Sequence, residues 1–333
     1  MVTRKDRPVF LRPPRYDAPM PIERLGSLDD PRLADYRHVS DPELLRRGEV
    51  FVAEGRLVVR TLLTTSPLRA RSLLVTGAAY RALADAIEPR LPALDVFLVE
   101  DGAIEALTGF NIHRGCLAIG ERPAAVGVGE WLARTPSARR VVVVESIANA
   151  DNMGGIVRNA AAFAADAVVL GAGCCDPLYR KAIRVSMGAA LRVPFCAAAD
   201  WPGDLDRLRA AGFTVAALVT DDRAQDIAGY AATSPPGGRI ALMAGSEGAG
   251  LSPGALGHAD VALRIPMAPG IDSLNVATAT GIALHRFFPG ESRIQNPESG
   301  IQNPKARRQM PEAGTEGPMW RPPPVGVSWR SDS

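Results

Sequence analysis

Three short segments hold side chains whose types and spacing could do chemistry. In residues 145–159, Asn152, Gly154 and Arg158 follow one another across what reads as a strand end and the first turns of a helix. Residues four apart share a helix face, and a long side chain leans toward the N-terminus, so Arg158 would reach over Gly154 into the crevice at the strand end. That aims a permanent cation at a ligand; an ordinary surface arginine is the open alternative. Residues 244–252 hold Gly245, Gly248 and Gly250 around Glu247, a loop that lets backbone approach a ligand closely or simply turns tightly. Residues 265–284 place Pro266, Pro269 and Gly270 ahead of Ser273 and Asn275. A loop so stiffened can present amides and carbonyls to the edge of a heteroaromatic ring, with a hydroxyl and an amide beside them.

The same segments exclude other chemistries. The glycine loop lacks the Gly-Lys-Ser/Thr of a nucleotide-triphosphate loop, and its spacing fails the dinucleotide fingerprint, which argues against a nicotinamide oxidoreductase. The four histidines, 38, 113, 258 and 285, offer no partner beside Ser273 for a serine–histidine–acid relay.

Such segments need a frame, and the hydrophobic pattern supplies one. The run 141–144 is four valines bounded by charges, the mark of a strand covered on both faces. Further runs at 167–170, 193–196, 213–218, 240–243 and 261–265 are separated mostly by helix-length stretches. The pattern predicts an α/β fold with a parallel, doubly wound sheet and ligands at the carboxyl ends of its strands. Asn152 is expected to cap one helix, and Ser273 to cap another that runs to 288. Ahead of this block, 39–122 alternates helical and strand patterns at 41–47, 57–63, 72–76, 80–87 and 96–99. Residues 123–138, with Pro123, Gly127, Gly129 and Pro136, read as a linker to the block 139–289. Residues 1–38 read as a flexible arm. The stretch 290–333, with Ile-Gln-Asn-Pro at 294 and again at 301, reads as a disordered tail.

Composition bounds the partners. With 38 Lys and Arg against 36 Asp and Glu, the formal charge is +2, so any RNA or DNA site is a local patch rather than a bulk field. Arg180, Lys181, Arg184 and Arg192 form such a patch, or else a solvated helix face. The four cysteines lack metal-ligand or disulfide-framework spacing and read as buried thiols of a reducing compartment. Neither a signal peptide nor a membrane span is legible, which places the chain in the cytoplasm.

Taken together, the three segments resemble the motifs of the SpoU (TrmH-like) family of RNA ribose 2′-O-methyltransferases, within the SPOUT superfamily. Asn152-x-Gly154-x-Ile156-x-Arg158 resembles its first motif and Gly245-Ser-Glu247-Gly-x-Gly250-Leu251 its second. Ile265-Pro-Met267 with Ser273-Leu274-Asn275-Val276-Ala277 resembles its third. The likeness also takes in 176–188 and so covers about 138–288. Phe51 to Gly55 and His113-Arg114-Gly115 resemble the family's small α/β/α substrate-binding domain. Two departures are Asn159, where threonine is common, and Ala150-Asp151, where Asp-Pro usually precedes the motif asparagine.

The resemblance implies a methyltransferase domain closed by a C-terminal trefoil knot. It implies S-adenosyl-L-methionine, held by the backbones of Gly245, Ile265 and Leu274 with Met267 and Val276 as neighbours. It further implies a homodimer in which one protomer's Arg158 serves its partner's cofactor, methyl transfer to a ribose 2′-hydroxyl, and no metal. Arg158 would act at that hydroxyl, Asn152, Ser273 and Asn275 would orient it and the ribose, and Glu247 would shape the second loop. The extra N-terminal block favours structured ribosomal RNA over tRNA. A tRNA methyltransferase and a non-catalytic RNA-binding or assembly factor of the same fold are the alternatives.

Overall fold

The valine run becomes the middle of a sheet because both of its faces are apolar. In the computed structural model, strand β6 (Arg140–Val144) buries Val142 and Val144 on one face and Val141 and Val143 on the other. The structure describes residues 22–25, 27–37, 48–109, 115–234 and 237–288. The helix expected over 41–47, the His113-Arg114 part of the small-domain motif, and the tail lie outside them.

Around β6 stand β7 (Ala167–Leu170), β8 (Phe195–Ala197), β9 (Thr214–Leu218), β10 (Gln225–Asp226), β11 (Ile240–Ala244) and β12 (Val261–Arg264). Their order is β10-β12-β9-β11-β6-β7-β8, and every pairing is parallel. The chain leaves β6 toward β7 and later returns to place β11 on the other side of β6. Parallel sheets open a crevice at such a reversal, at the carboxyl ends of the two strands. The first and second motifs begin there.

One face of this sheet is covered by α5 (Ala150–Ala162), α6 (Arg180–Val185) and α10 (Val276–Phe287). The other is covered by α4 (Val128–Arg134), α7 (Asp204–Ala210) and α9 (Pro253–Gly257). The presence of α4 corrects the expected linker over 123–138. Val128 and Trp131 are buried on the sheet, so this segment belongs to the core despite its glycines and prolines. The remaining helix here is α8 (Ile227–Thr233).

The N-terminal part is a second sheet of β1 (Ile22–Arg24), β2 (Val50–Glu54), β3 (Ala70–Thr76), β4 (Asp95–Val99) and β5 (Cys116–Glu121). Its order is β1-β4-β3-β5-β2, with β5 antiparallel to both neighbours. Leu73 and Val75 of β3 face α1 (Arg56–Thr64) and α2 (Gly77–Ile87), while Leu74 faces α3 (Ala103–Thr108) and the 3-10 turn Pro31–Tyr36. The flexible-arm reading of 1–38 is therefore corrected at 22–37. Leu33 and Tyr36 are fully buried there, and the Tyr36 hydroxyl lies 2.7 Å from Ser72 Oγ. Burial raises that phenol well above its ordinary pKa. The apolar residues here, Ile22, Leu25, Leu28, Leu33 and Tyr36, are scattered among charges and hold no single period over the stretch, which is why the packing was not legible.

The two sheets are joined by more than the chain. Glu54, 4% exposed, ends β2 and meets Arg180 at 2.8 Å and Arg184 at 3.7 Å on α6. Arg122 pairs with Asp176, and Ser66 Oγ donates to the Leu191 carbonyl at 2.5 Å. Among the described residues, no helix is long and apolar enough to cross a membrane.

Candidate active site

The glycine loop leaves the end of β11 and folds back on itself. Gly250 N–H donates to the Ser246 carbonyl at 3.0 Å, and Gly248 and Gly250 sit in the left-handed region at φ 88° and 68°. A Cβ on Gly245 would fall within 3.0 Å of the Gly250 carbonyl group and of Leu251 N. Gly245 is thus required by the loop's own backbone, before any ligand is considered. Ser252 ends the loop and caps α9, accepting from Ala255 N at 3.2 Å.

The Pro-rich loop runs from β12 to α10. Its helix cap is Asn275, whose Oδ1 accepts from Ala277 N and Thr278 N at 3.0 and 3.2 Å, which corrects the expectation that Ser273 caps it. The cap of α5 is likewise Asn149, not Asn152. Both shifts have one cause. In each motif three polar residues lie within four positions, and only the chain's exit angle decides which of them meets the free amides.

Released from capping, Asn152 does something else. Asn275 Nδ2 donates to Asn152 Oδ1 at 2.8 Å and to Glu247 Oε1 at 2.7 Å, and Glu247 also accepts from Val276 N at 3.4 Å. One amide therefore ties together all three motif segments. Within this chain Asn152 bonds Asn275, and Glu247 links the glycine loop to the start of α10.

Between the two loops is a cavity of about 1000 Å³. Gly245, Ile265, Met267, Leu274 and Val276, the five residues assigned to the cofactor, all line it, as do Glu247 and Ser273. Its apolar wall includes Leu218, Val219, Leu251 and Leu256. Its charged lining is Asp221, Glu247, Asp260 and Asp272 against a single guanidinium, Arg223. Hydrogen bonds from the Arg223 side chain and backbone hold the Asp221 carboxyl at about 2, so it is ionised at neutral pH. Asp260 is paired with Arg209 and Asp221 with Arg223, which leaves Glu247 and Asp272 as the surplus negative charge of the wall, suited to a ligand that bears net positive charge.

Arg158 lies elsewhere. It is exposed on α5, in a shallow depression shared with Gly155, Asn159, Thr278, Gly281, His285 and Arg286, and it is not part of the cavity lining. The expected lean over Gly154 is corrected as well. Gly154 is buried against α6, where a Cβ would meet the Ala182 carbonyl oxygen and Val185 Cβ at 2.8 Å. Gly155 does the same toward α10, with Ala277 Cβ at 2.7 Å from the position of its own Cβ. The glycines of this motif serve helix packing.

The basic patch divides. The Arg180 side chain is 21% exposed and engages the buried Glu54, which removes it from the outward-facing set. Lys181 pairs with Asp151 at 2.6 Å and remains half-exposed; Arg184 and Arg192 are exposed. Three cysteines, 116, 175 and 196, are buried, and Cys174 is partly so.

A relative described as an uncharacterized tRNA/rRNA methyltransferase of Mycobacterium bovis is 40% identical over 264 residues, 77% of this chain and 88% of its own. The SpoU rRNA Methylase family model matches residues 139–285. The chain belongs to the SpoU family. Another relative, the 23S rRNA guanosine 2′-O-methyltransferase RlmP of Bacillus subtilis, is 26% identical over 271 residues, 79% of this chain and 98% of that protein. The crystal structure of the AdoMet-bound rRNA methyltransferase of Sinorhizobium meliloti superposes with a TM-score of 0.66 at 25% identity, covering 80% of this chain and 97% of that one. The SpoU match spans the parallel sheet and all three motif segments, while the two relatives and the solved structure reach across most of the chain.

Two functional candidates escaped the sequence reading. Asp221 lines the cavity but sits outside every motif. Glu145, 4% exposed, directly follows the valine run; an acid behind a doubly buried strand is the signal that could have drawn attention to it.

Proposed function

We propose that this chain is an S-adenosyl-L-methionine-dependent RNA methyltransferase that methylates a ribose 2′-hydroxyl of ribosomal RNA, acting as a cytoplasmic homodimer. The observation that carries the reading is the cavity. Seven motif residues from two loops line one space whose acidic wall and apolar sides match a sulfonium cation joined to an adenine ring. RlmP, alignable over nearly its whole length, acts on 23S rRNA by its name, which favours rRNA over tRNA.

When bound, the cofactor supplies an already activated methyl group, so the protein's work is to hold donor and acceptor in line. The backbones of Gly245, Ile265 and Leu274 hold the adenosyl part, with Met267 and Val276 against it. Glu247 and Asn275, locked to each other, set the spacing of the two loops. Ser273, on the cavity wall, orients the ribose. Segment 244–276 forms the loop of a trefoil knot, with α10 as the threaded element.

Arg158 stands outside its own chain's cavity, and a two-fold dimer through the α5–α10 face brings one protomer's Arg158 to its partner's site. The guanidinium is permanently protonated and is a poor base. It steadies the alkoxide that develops at the 2′-oxygen, and the proton leaves to phosphate or water. The N-terminal sheet, residues 22–37 included, together with Lys181, Arg184 and Arg192, holds the RNA backbone.

The test is calorimetric titration with AdoMet, followed by transfer of labelled methyl to total RNA and mapping of the protected ribose by alkaline cleavage. Saturable binding and one rRNA position protected support the reading. A protected tRNA position moves the substrate assignment, and absence of binding refutes the function.

A further inference from the structure

Among the described residues Glu145 is one of the most deeply buried carboxylates, and it plays no part in the mechanism above. It is 4% exposed, at the carboxyl end of β6. Its Oε1 accepts from Trp201 Nε1 at 2.6 Å and from Ser252 Oγ at 2.8 Å, and its Oε2 accepts from Ser252 N at 2.7 Å. No cation appears among these partners; three neutral donors satisfy the charge. Two of the three belong to Ser252, which follows Leu251 of the cavity wall and begins the helix that carries Leu256, also on the wall.

The glycine loop is therefore held at both ends by different means. Its start is fixed covalently to β11, and its end is fixed to β6 by this carboxylate. Between them, Gly248 and Gly250 supply little stiffness of their own. A bidentate grip on a backbone amide and a hydroxyl of one residue sets position and orientation together, and charge-assisted bonds of this length are the stronger class. Trp201 completes the clamp by lying against Gly171 at the end of β7, where a Cβ would meet the indole ring at 2.9 Å.

We propose that Glu145 is a positioning residue for cofactor binding, acting through Ser252 to hold the glycine loop in the shape that closes the cavity. The inference rests on the AdoMet reading of that cavity. In Glu145→Gln the carboxamide keeps one acceptor oxygen but turns an NH2 group toward a donor, so at least one of the three bonds is lost while the volume is kept.

The experiment is calorimetric titration of AdoMet into wild type and Glu145→Gln, both confirmed folded by circular dichroism, with methyl transfer measured at saturating AdoMet. The expected result is a Kd raised at least fivefold, with kcat at saturating cofactor within about twofold, because the loop is restored once the cofactor fills it. A folded variant whose Kd rises less than fivefold overturns the proposal, as does a fall in kcat with Kd unchanged. Should Glu145→Gln fail to fold, Ser252→Ala reads the same link. It removes the hydroxyl and leaves the carboxylate two N–H donors, so a Kd raised threefold or more supports the inference and a smaller change overturns it. Wild type that binds no AdoMet refutes the cofactor reading itself, an outcome distinct from a variant that matches wild type.

Discussion

Gly245→Ala is the sharpest perturbation the cavity offers, because it adds one methyl group and changes no charge. The added Cβ would stand within 3.0 Å of three backbone atoms of Gly250 and Leu251, where ordinary contact begins at 3.4 Å. Those atoms are backbone, so no rotamer change relieves the clash; the loop must open by about 1 Å. Overpacking of this kind costs about 1–3 kcal/mol when the surroundings cannot yield. The free protein bears the part of that cost by which an opened loop strains its anchors at Glu247 and Ser252, read as a fall in thermal stability. Cofactor binding needs the closed loop and meets the remainder. At about 1.4 kcal/mol per factor of ten, the apparent Kd for AdoMet rises by more than twofold and by up to about 150-fold. Calorimetric titration of the folded variant measures it directly. A Kd within twofold of wild type would show that the loop's closed form is not the one that binds, and the account of the cavity would fail with it.

Arg158→Ala is expected to abolish methyl transfer while AdoMet affinity stays within about threefold, since Arg158 is outside the cavity lining of its own chain. Transfer at the wild-type rate would remove Arg158 from the mechanism. At an AdoMet concentration that saturates wild type but leaves Gly245→Ala unbound, mixing Arg158→Ala with Gly245→Ala should restore activity in heterodimers if the site is shared between protomers; no restoration argues against a shared site. Glu54→Ala leaves Arg180, 21% exposed, without its buried partner. Breaking a buried pair costs about 3–5 kcal/mol, and the exposure of Arg184 brings the figure to the lower end, read by urea denaturation; a loss below about 1 kcal/mol refutes Glu54 as a joint between the two sheets. Burial, and after it the charge of Asp204, pushes the Cys196 thiol up to about 12 from its ordinary 9.0. Over that interval the unfolded chain releases a proton that the folded chain keeps, so stability is whole below 9.0 and falls as pH rises toward 12. Melting curves at successive pH values should show a shallower alkaline loss in Cys196→Ala than in wild type, and identical slopes would refute the assignment.

The residues of the cavity were legible because they are local. Each of the two loops brings its groups within about a dozen residues, bounded by a strand whose apolar run is plain in the sequence, so chain connectivity alone delivers Gly245 and Glu247, or Ile265 and Ser273, to one place. The order of the strands was not legible, since the apolar runs of 213–218 and 240–243 look alike and only packing decides that the second lies beside β6. Helix caps were misplaced by three residues at Asn152 and by two at Ser273 for the same reason.

What the sequence determined by itself is the chemistry available: an α/β frame, three polar loops at strand ends, and an arginine on a helix that follows one of them. What only tertiary structure decided is which groups meet. Asn275 finds Asn152 across 123 residues of chain and Ser252 finds Glu145 across 107, while Gly154 turns toward α6 instead of leaving room for Arg158. A repeating pattern of apolar residues specifies which side of an element is buried. It does not specify what that side is buried against, because the contact energy belongs to pairs of distant segments and is realised only when the whole sheet has closed.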